Sequence, residues 1–112
     1  MSRFDYVAIR AQIPIRRVLE LLDWEPTRCR GDQWRGPCPL LLCSHGTNRK
    51  PSFSVHVSRH LFQCFTCGQS GNQLDLWAAA INQPLYPATR DLCCRLAVEP
   101  IMLDNPQPRR ID

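Results

Sequence analysis

The segment Cys64-Phe65-Thr66-Cys67-Gly68 holds the residues of this chain best suited to chemistry. Two intervening residues let both thiolates reach one ion at about 2.3 Å, the usual zinc–sulfur distance. The glycine that follows can adopt the positive φ that turns backbone N–H groups toward sulfur. The segment therefore predicts half of a structural zinc site. The competing interpretation is a redox-active Cys-x-x-Cys pair, which requires a strand that opens into a helix within a βαβ unit.

A tetrahedral structural site needs two more ligands, and Cys38 and His45 lie upstream of this segment. Cys38 belongs to the turn sequence Gly36-Pro37-Cys38-Pro39, and His45 precedes a glycine. Cys43 falls between them and is an alternative fourth ligand. The predicted cofactor is one structural Zn²⁺, with Cys38, His45, Cys64 and Cys67 as ligands.

The remaining cysteines and histidines have simpler explanations. Cys29 is expected to be a surface thiol, and Cys93 and Cys94 are expected to pack in a helix. His56 and His60 flank a predicted hairpin turn and are expected to be exposed. An odd total of seven cysteines argues for metal ligands and free thiols over a disulfide framework.

Two short helices are predicted before the first metal ligand. Residues 5–11 form the first, and Pro14 suits the first turn of the second, where its missing N–H costs nothing. The second helix shows one apolar stripe at i, i+3, i+4 and i+7, formed by Ile15, Val18, Leu19 and Leu22. Pro26 ends this helix.

Short extended segments are predicted from Arg28 to Phe65. Phe53, Val55 and Val57 alternate with polar residues, which is the period of a half-exposed strand. A tight turn at Ser58-Arg59 then leads to a return strand over 61–65. This predicted hairpin runs directly into Cys64.

Helical periodicity resumes after Gly71, with Asn72 as the N-cap. The apolar positions of this helix are Leu74, Trp77, Ala78 and Ile81. Pro84 and Pro87 are expected to interrupt, and a last helix covers about 88–97. The predicted fold is α+β, a small zinc ribbon with an antiparallel sheet flanked by short helices. It occupies 1–98, and 99–112 is a flexible tail.

The distribution of basic, acidic and apolar residues limits the functions that are expected of this chain. The net charge is +4, and residues 27–70 contain six basic residues and one acidic residue, a local excess of +5. The phosphate-binding candidates are Arg28, Arg30, Arg35, Arg49, Lys50 and Arg59; a solvated arginine-rich surface is the alternative. No apolar run suggests a signal peptide or membrane span, so the expected location is cytoplasmic. The acidic residues are scattered, so we expect no catalysis by this chain.

The order of motifs resembles the N-terminal zinc-binding domain of bacterial replicative DNA primases, the CHCC zinc ribbon. The resemblance covers about 6–98. It is carried by Arg35-Gly36-Pro37-Cys38-Pro39, His45, Pro51-Ser52-Phe53-Ser54-Val55, Phe62-Gln63-Cys64-Phe65-Thr66-Cys67-Gly68 and Gly71-Asn72-Gln73-Leu74-Asp75-Leu76-Trp77. It implies His45 as the fourth ligand. The chain departs from the family by an insertion at 40–44 and by having no Asp-x-Asp pair, which the catalytic domain of primases uses for magnesium.

The resemblance implies contact with single-stranded DNA in replication or a mobile-element process. Phe62, Phe65 and Trp34 are the candidates for base stacking, with a core role as the alternative for each. The second hypothesis is a protein-interaction module that docks on a polymerase, helicase or transposase through the Trp77 or Leu92 helix. A primase catalytic subunit is a further candidate partner, and a redox enzyme is the third hypothesis.

Overall fold

The protein, represented by a computed structural model that describes residues 4–40, 52–100 and 102, has an α+β fold. Its elements are α1 (Tyr6–Gln12), α2 (Ile15–Leu21), β1 (Arg28–Arg30), β2 (Gln33–Gly36), β3 (Phe53–His56), β4 (Leu61–Cys64), β5 (Ser70–Asn72), α3 (Gln73–Ile81) and α4 (Leu85–Arg95). The described strands form one antiparallel sheet in sequence order, β1-β2-β3-β4-β5. The predicted fold class is confirmed. No helix among the described residues has the length and apolarity needed to cross a bilayer.

Both N-terminal helices begin within a residue of the predicted positions, but α2 ends at Leu21 and not at Pro26. The chain leaves the helix at Asp23, whose φ is +55°. The Asp5 carboxylate caps α1 by accepting the Ala8 N–H at 3.2 Å. Pro14 is the N-cap of α2 and has no side-chain cap bond to offer. A residue distant in sequence supplies the missing cap acceptor: the imidazole Nδ1 of His60 accepts the Ile15 N–H at 3.0 Å. The hairpin tip therefore fixes the start of α2.

The predicted hairpin is β3 and β4, with Val55 opposite Phe62. Its turn spans 57–60 and ends at His60, whose φ is +57°. β4 alternates exposed and buried residues and ends at Cys64. The predicted return strand is therefore confirmed, one residue shorter than expected.

Asn72 caps α3 as predicted, and the cap is a reciprocal one. The Asn72 side chain accepts the N–H groups of Leu74 and Asp75, and the Asp75 carboxylate accepts the Asn72 N–H at 3.0 Å. Gly71 makes this possible, since a Cβ there would lie 2.5 Å from the Asp75 carboxylate. The same short stretch also forms β5, which the sequence did not predict.

The last helix begins earlier than predicted. We expected Pro87 to precede the helix, but α4 starts at Leu85 and includes Pro87. Pro87 occupies the first turn, where an N–H has no partner within the helix, so the missing donor costs little. Pro84 is the N-cap.

One face of the sheet packs against the helices and forms the core. The largest side chains that are fully buried there are Phe53, Ile9, Ile13, Ile15, Leu74, Leu76 and Leu92. The buried Gln73 amide donates to the carbonyls of Arg10 and Ile13 at 3.0 and 2.7 Å, which ties the end of α1 to the start of α3. The boundary at residue 98 and the flexible tail stay predictions, because 101 and 103–112 lie outside the described residues.

Candidate metal centre and open sheet face

Three cysteines from two separate segments of the chain meet at one end of the sheet. Cys38 follows β2, Cys64 ends β4, and Cys67 lies in the turn after it. Their sulfur atoms all lie within 4.8 Å of one another. In a tetrahedral zinc site with bonds of about 2.3 Å, sulfurs stand roughly 3.8 Å apart. The three thiols are therefore close to the arrangement that zinc requires.

Local backbone geometry positions each cysteine. Gly68 has φ +79°, and its N–H donates to the Cys64 carbonyl at 2.9 Å, which closes the turn that brings Cys67 beside Cys64. Upstream of Cys38, the Trp24 indole N–H donates to the Pro37 carbonyl. Gly36 allows that approach, because a Cβ on it would lie 2.8 Å from the Trp24 ring. The core thus anchors the turn that carries Cys38.

The Cys64 sulfur is set up as a thiolate. Complete burial raises the pKa of Cys64, but hydrogen bonds from the backbone N–H groups of Cys67 and Thr66 and from the Ser52 hydroxyl outweigh that effect. Two of these contacts measure 3.4 Å from the Cys67 nitrogen and 3.7 Å from the Ser52 oxygen. The result is a pKa of about 6, so this sulfur is negative at neutral pH. A buried thiolate with donors around it fits a soft cation such as zinc.

The fourth ligand lies outside the described residues. His45 and its alternative Cys43 both fall within 41–51, so the choice between them stays a prediction. The redox interpretation of Cys64 and Cys67 lacks its architecture, because the described sheet is antiparallel and the turn after Cys64 leads into β5 instead of a helix.

The second notable feature is the sheet face that is turned away from the helices, here called the open face. Strand register aligns two rows of residues across it. The first row is Arg28, Arg35, Ser54, Gln63 and Ser70, and the second is Arg30, Gln33, His56, Leu61 and Asn72. Apart from Leu61 every residue in these rows is polar or charged, and most are exposed.

Arginine and phenylalanine meet on this open face. Arg28, Arg30 and Arg35 are exposed on β1 and β2. Phe65, one residue after β4, is 58% exposed, and the Arg35 guanidinium lies 5.1 Å from the centre of its ring. Such a cation–π pair holds the guanidinium in place over one face of the ring.

Phe62 is a correction to the sequence-based candidates. It is 3% exposed and stacks on Phe53 in the core, with ring centres 5.6 Å apart, so it has no surface to offer a base. Alternation in β4 explains this, since Phe62 shares its face with Cys64. Trp34 also lies on the core face, where the Arg16 guanidinium covers it at 5.6 Å. Of the three aromatic candidates, Phe65 is the one on the open face.

The other predicted residues are dispersed. Arg59 is exposed at the hairpin tip, at the opposite end of β4 from the cysteines. Arg49 and Lys50 lie outside the described residues. His60 was missed as a structural residue, and no sequence signal marks it, because its bond to Ile15 spans 45 positions. The alternation of β3 and β4 predicts that Ser54 and Gln63 lie on the polar face of the hairpin, but not which residues of the other strands continue their row.

The fold and the cysteine cluster together define a zinc ribbon. Residues 6–105 match the sequence profile described as the CHC2 zinc finger. The chain belongs to the CHC2 zinc finger family.

Three relatives of the chain are DNA primases. The chain is 29% identical over 89 residues to the DNA primase of Geobacillus stearothermophilus, a match that covers 76% of the chain and 14% of the primase. It is 39% identical over 62 residues to that of Halalkalibacterium halodurans, covering 52% of the chain and 10% of the primase. It is 30% identical over 76 residues to that of Legionella pneumophila, covering 67% and 12% respectively. The chain thus spans 10–14% of these primases.

A solved structure shares the fold. It is that of the Aquifex aeolicus primase, with zinc binding and RNA polymerase domains, at a TM-score of 0.67 and 24% identity, covering 87% of this chain and 22% of that one. At this identity the likeness concerns the fold alone. The resemblance to the primase zinc-binding domain is confirmed by the family and the fold together.

Proposed function

We propose that this chain is a zinc-dependent module that binds single-stranded DNA through the open face of its sheet. The observation that carries the proposal is the meeting of exposed guanidinium groups and an exposed aromatic ring, Arg28, Arg30, Arg35 and Phe65, on one sheet face. Proteins that bind single strands combine these two features, a basic surface for phosphates and aromatic rings on which bases stack.

Zinc would act as a scaffold for this surface. Cys38, Cys64 and Cys67, with His45 or Cys43, would hold the ion with four protein ligands, which leaves no open position for an activated water. Cys38 and Cys64, holding the ion together, would join the turn after β2 to the end of β4. Because Phe65 lies between two of the cysteines, the metal site fixes the position of the ring.

Different residues of the open face suit different parts of the nucleic acid. Arg28, Arg30 and Arg35 on β1 and β2 contact phosphates. Phe65 offers one ring face to a base, since Arg35 lies over the ring. The amide of Gln63 and the hydroxyl of Ser70 on β4 and β5 supply hydrogen bonds to base edges. The proposed role is binding, as part of or beside a primase catalytic subunit.

The interaction-module hypothesis has less support. Its named surfaces were the apolar residues of α3 and α4, but Trp77 is 4% exposed and Leu92 is fully buried. Both side chains are packed in the core and are therefore not available to a docking partner. The open face, by contrast, is too polar for an apolar docking surface.

Equilibrium binding tests the proposal. Fluorescence anisotropy with a labelled 5′-hydroxyl single strand, titrated with the zinc-loaded chain, should show binding at low salt. Each phosphate contact on a single strand contributes about −0.7 to the slope of log K against log salt, so three arginines predict a slope of about −2. A duplex of the same sequence should bind more weakly. No binding of any single strand at low salt by the folded, zinc-loaded protein would overturn the proposal.

A further inference from the structure

Two arginines face each other directly across the β1–β2 hairpin. Arg28 and Arg35 are cross-strand partners, and Arg30 lies on the same open face two residues further along β1. Like charges that are directly opposite in an antiparallel pair destabilise the sheet. A local rule broken in this way is expected where a function compensates for it.

No described acidic side chain forms an ion pair with these arginines. The ion pairs among the described residues are Arg17 with Glu20 and Arg95 with Asp91, both on helices. The nearest acid in sequence, Asp32, lies at the hairpin tip and lines a different cavity, with Arg16 and Trp34. The three open-face arginines therefore present their charge to solvent.

The arginines also share a cavity. A cleft of about 630 Å³ is lined by Arg28, Arg30, Arg35, Thr27 and Gln33. Thr27 and Gln33 bring no charge, and their side chains are engaged with the Arg35 carbonyl and the Ser54 hydroxyl. The cleft is thus a space for an anion with three guanidinium groups as its charged donors.

The charge of this cleft fits a polyphosphate better than an internal phosphate of DNA. Directly opposite residues have Cβ atoms about 5 Å apart, and two residues along a strand span roughly 6.6 Å. Internal phosphodiesters bring one negative charge each and are spaced along the strand, one to each arginine. A triphosphate brings roughly three to four, since a terminal phosphate has a second pKa near 6. Three forked donors on one small area match the latter.

We propose that Arg28, Arg30 and Arg35 bind a polyphosphate, either the triphosphate of a free nucleotide or the 5′-triphosphate end of an oligonucleotide. Arg35 links this cluster to the base platform, because its guanidinium lies 5.1 Å from the Phe65 ring centre. A terminal nucleotide would then place its base on Phe65 and its phosphates in the cleft. The inference rests on the proposed function, since it uses the same open face.

Matched oligonucleotides test the inference. Three labelled single strands of one sequence, with a 5′-hydroxyl, 5′-monophosphate or 5′-triphosphate end, are titrated with the zinc-loaded chain by anisotropy. The triphosphate strand should bind at least tenfold more tightly than the hydroxyl strand. Competition with ATP and with inorganic triphosphate then distinguishes the sources: displacement by either supports a site for free polyphosphate, and failure of both with retained preference supports the 5′ end.

Two variants assign the effect to the cluster. Arg28→Gln, an exposed edge-strand change, should reduce the preference for the triphosphate strand to below threefold. Arg90→Gln removes the same charge from the exposed side of α4 and should keep the full preference. Zinc content and circular dichroism confirm that each variant is folded. A preference that persists in Arg28→Gln would overturn the assignment.

The outcomes separate the two proposals. Equal affinity of wild type for the hydroxyl and triphosphate strands overturns this inference and leaves the proposed function standing. Binding of inorganic triphosphate, with no binding of any oligonucleotide, supports the arginine cluster and overturns the proposed function.

Discussion

Replacing Phe65 with alanine perturbs the proposed base platform with little risk to the fold, because the side chain is 58% exposed. Stacking of one base on one aromatic ring contributes about 1–3 kcal/mol to binding. The Arg35 guanidinium covers one face of the ring, so a single face is available for stacking. The substitution therefore removes one base-stacking contact. We therefore expect Phe65→Ala to weaken single-strand binding about 5- to 150-fold.

The assay is anisotropy with a 5′-hydroxyl single strand at fixed low salt, repeated across a salt series. The salt slope should stay near that of wild type, because the arginines that contact phosphates remain. Leu61→Ala is the matched control: it removes an exposed apolar side chain from the same face without removing a ring, and should change affinity less than threefold. A folded, zinc-loaded Phe65→Ala chain that binds within twofold of wild type would refute the stacking argument.

Three further changes test the scaffold. His60→Ala removes the acceptor of the Ile15 N–H and should lower the free energy of unfolding in urea by about 1 kcal/mol; His56→Ala, whose bonds lie within its own turn, should cost less, and equal losses would contradict the capping role. Gln73→Leu leaves the buried Ile13 carbonyl without the donor that the structure shows and leaves the Arg10 carbonyl with the Ile13 N–H alone. It should lower the free energy of unfolding by about 2 kcal/mol, and a loss below about 0.5 kcal/mol would contradict that link. Cys64→Ser should abolish stoichiometric zinc, measured by atomic absorption, and chelation of wild type should remove stabilisation of about 10 kcal/mol and unfold it. A stable, folded apo protein would contradict the structural role of the metal.

The elements with strong periodicity were predictable from the sequence. The apolar stripe of α2 and the alternation of β3 follow local rules, and the Asn72 cap follows from side-chain chemistry at a helix start. The proximity of Cys38 to Cys64 and Cys67 was predictable because a structural zinc site needs four ligands around one ion. These features depend on residues close in sequence or on one shared ion.

Features that depend on register were not predictable. Arg28 and Arg35 become neighbours only through the β1–β2 pairing, and β1 is three exposed residues with no apolar alternation. The bond from Ile15 to His60 depends on tertiary packing. The choice between Phe62 and Phe65 is an intermediate case, because alternation places Phe62 on the same face as Cys64 and therefore inside.

The open face, and not the helical side, is the surface that we propose contacts DNA. Amide chemical-shift mapping of the ¹⁵N-labelled, zinc-loaded chain with a 5′-hydroxyl single strand tests it directly. The largest shifts should fall on β1, on β2 and on β4 with the residue that follows it, at Arg35, Gln63 and Phe65 among others. Shifts concentrated on α1 and α4, with the open face unchanged, would contradict it.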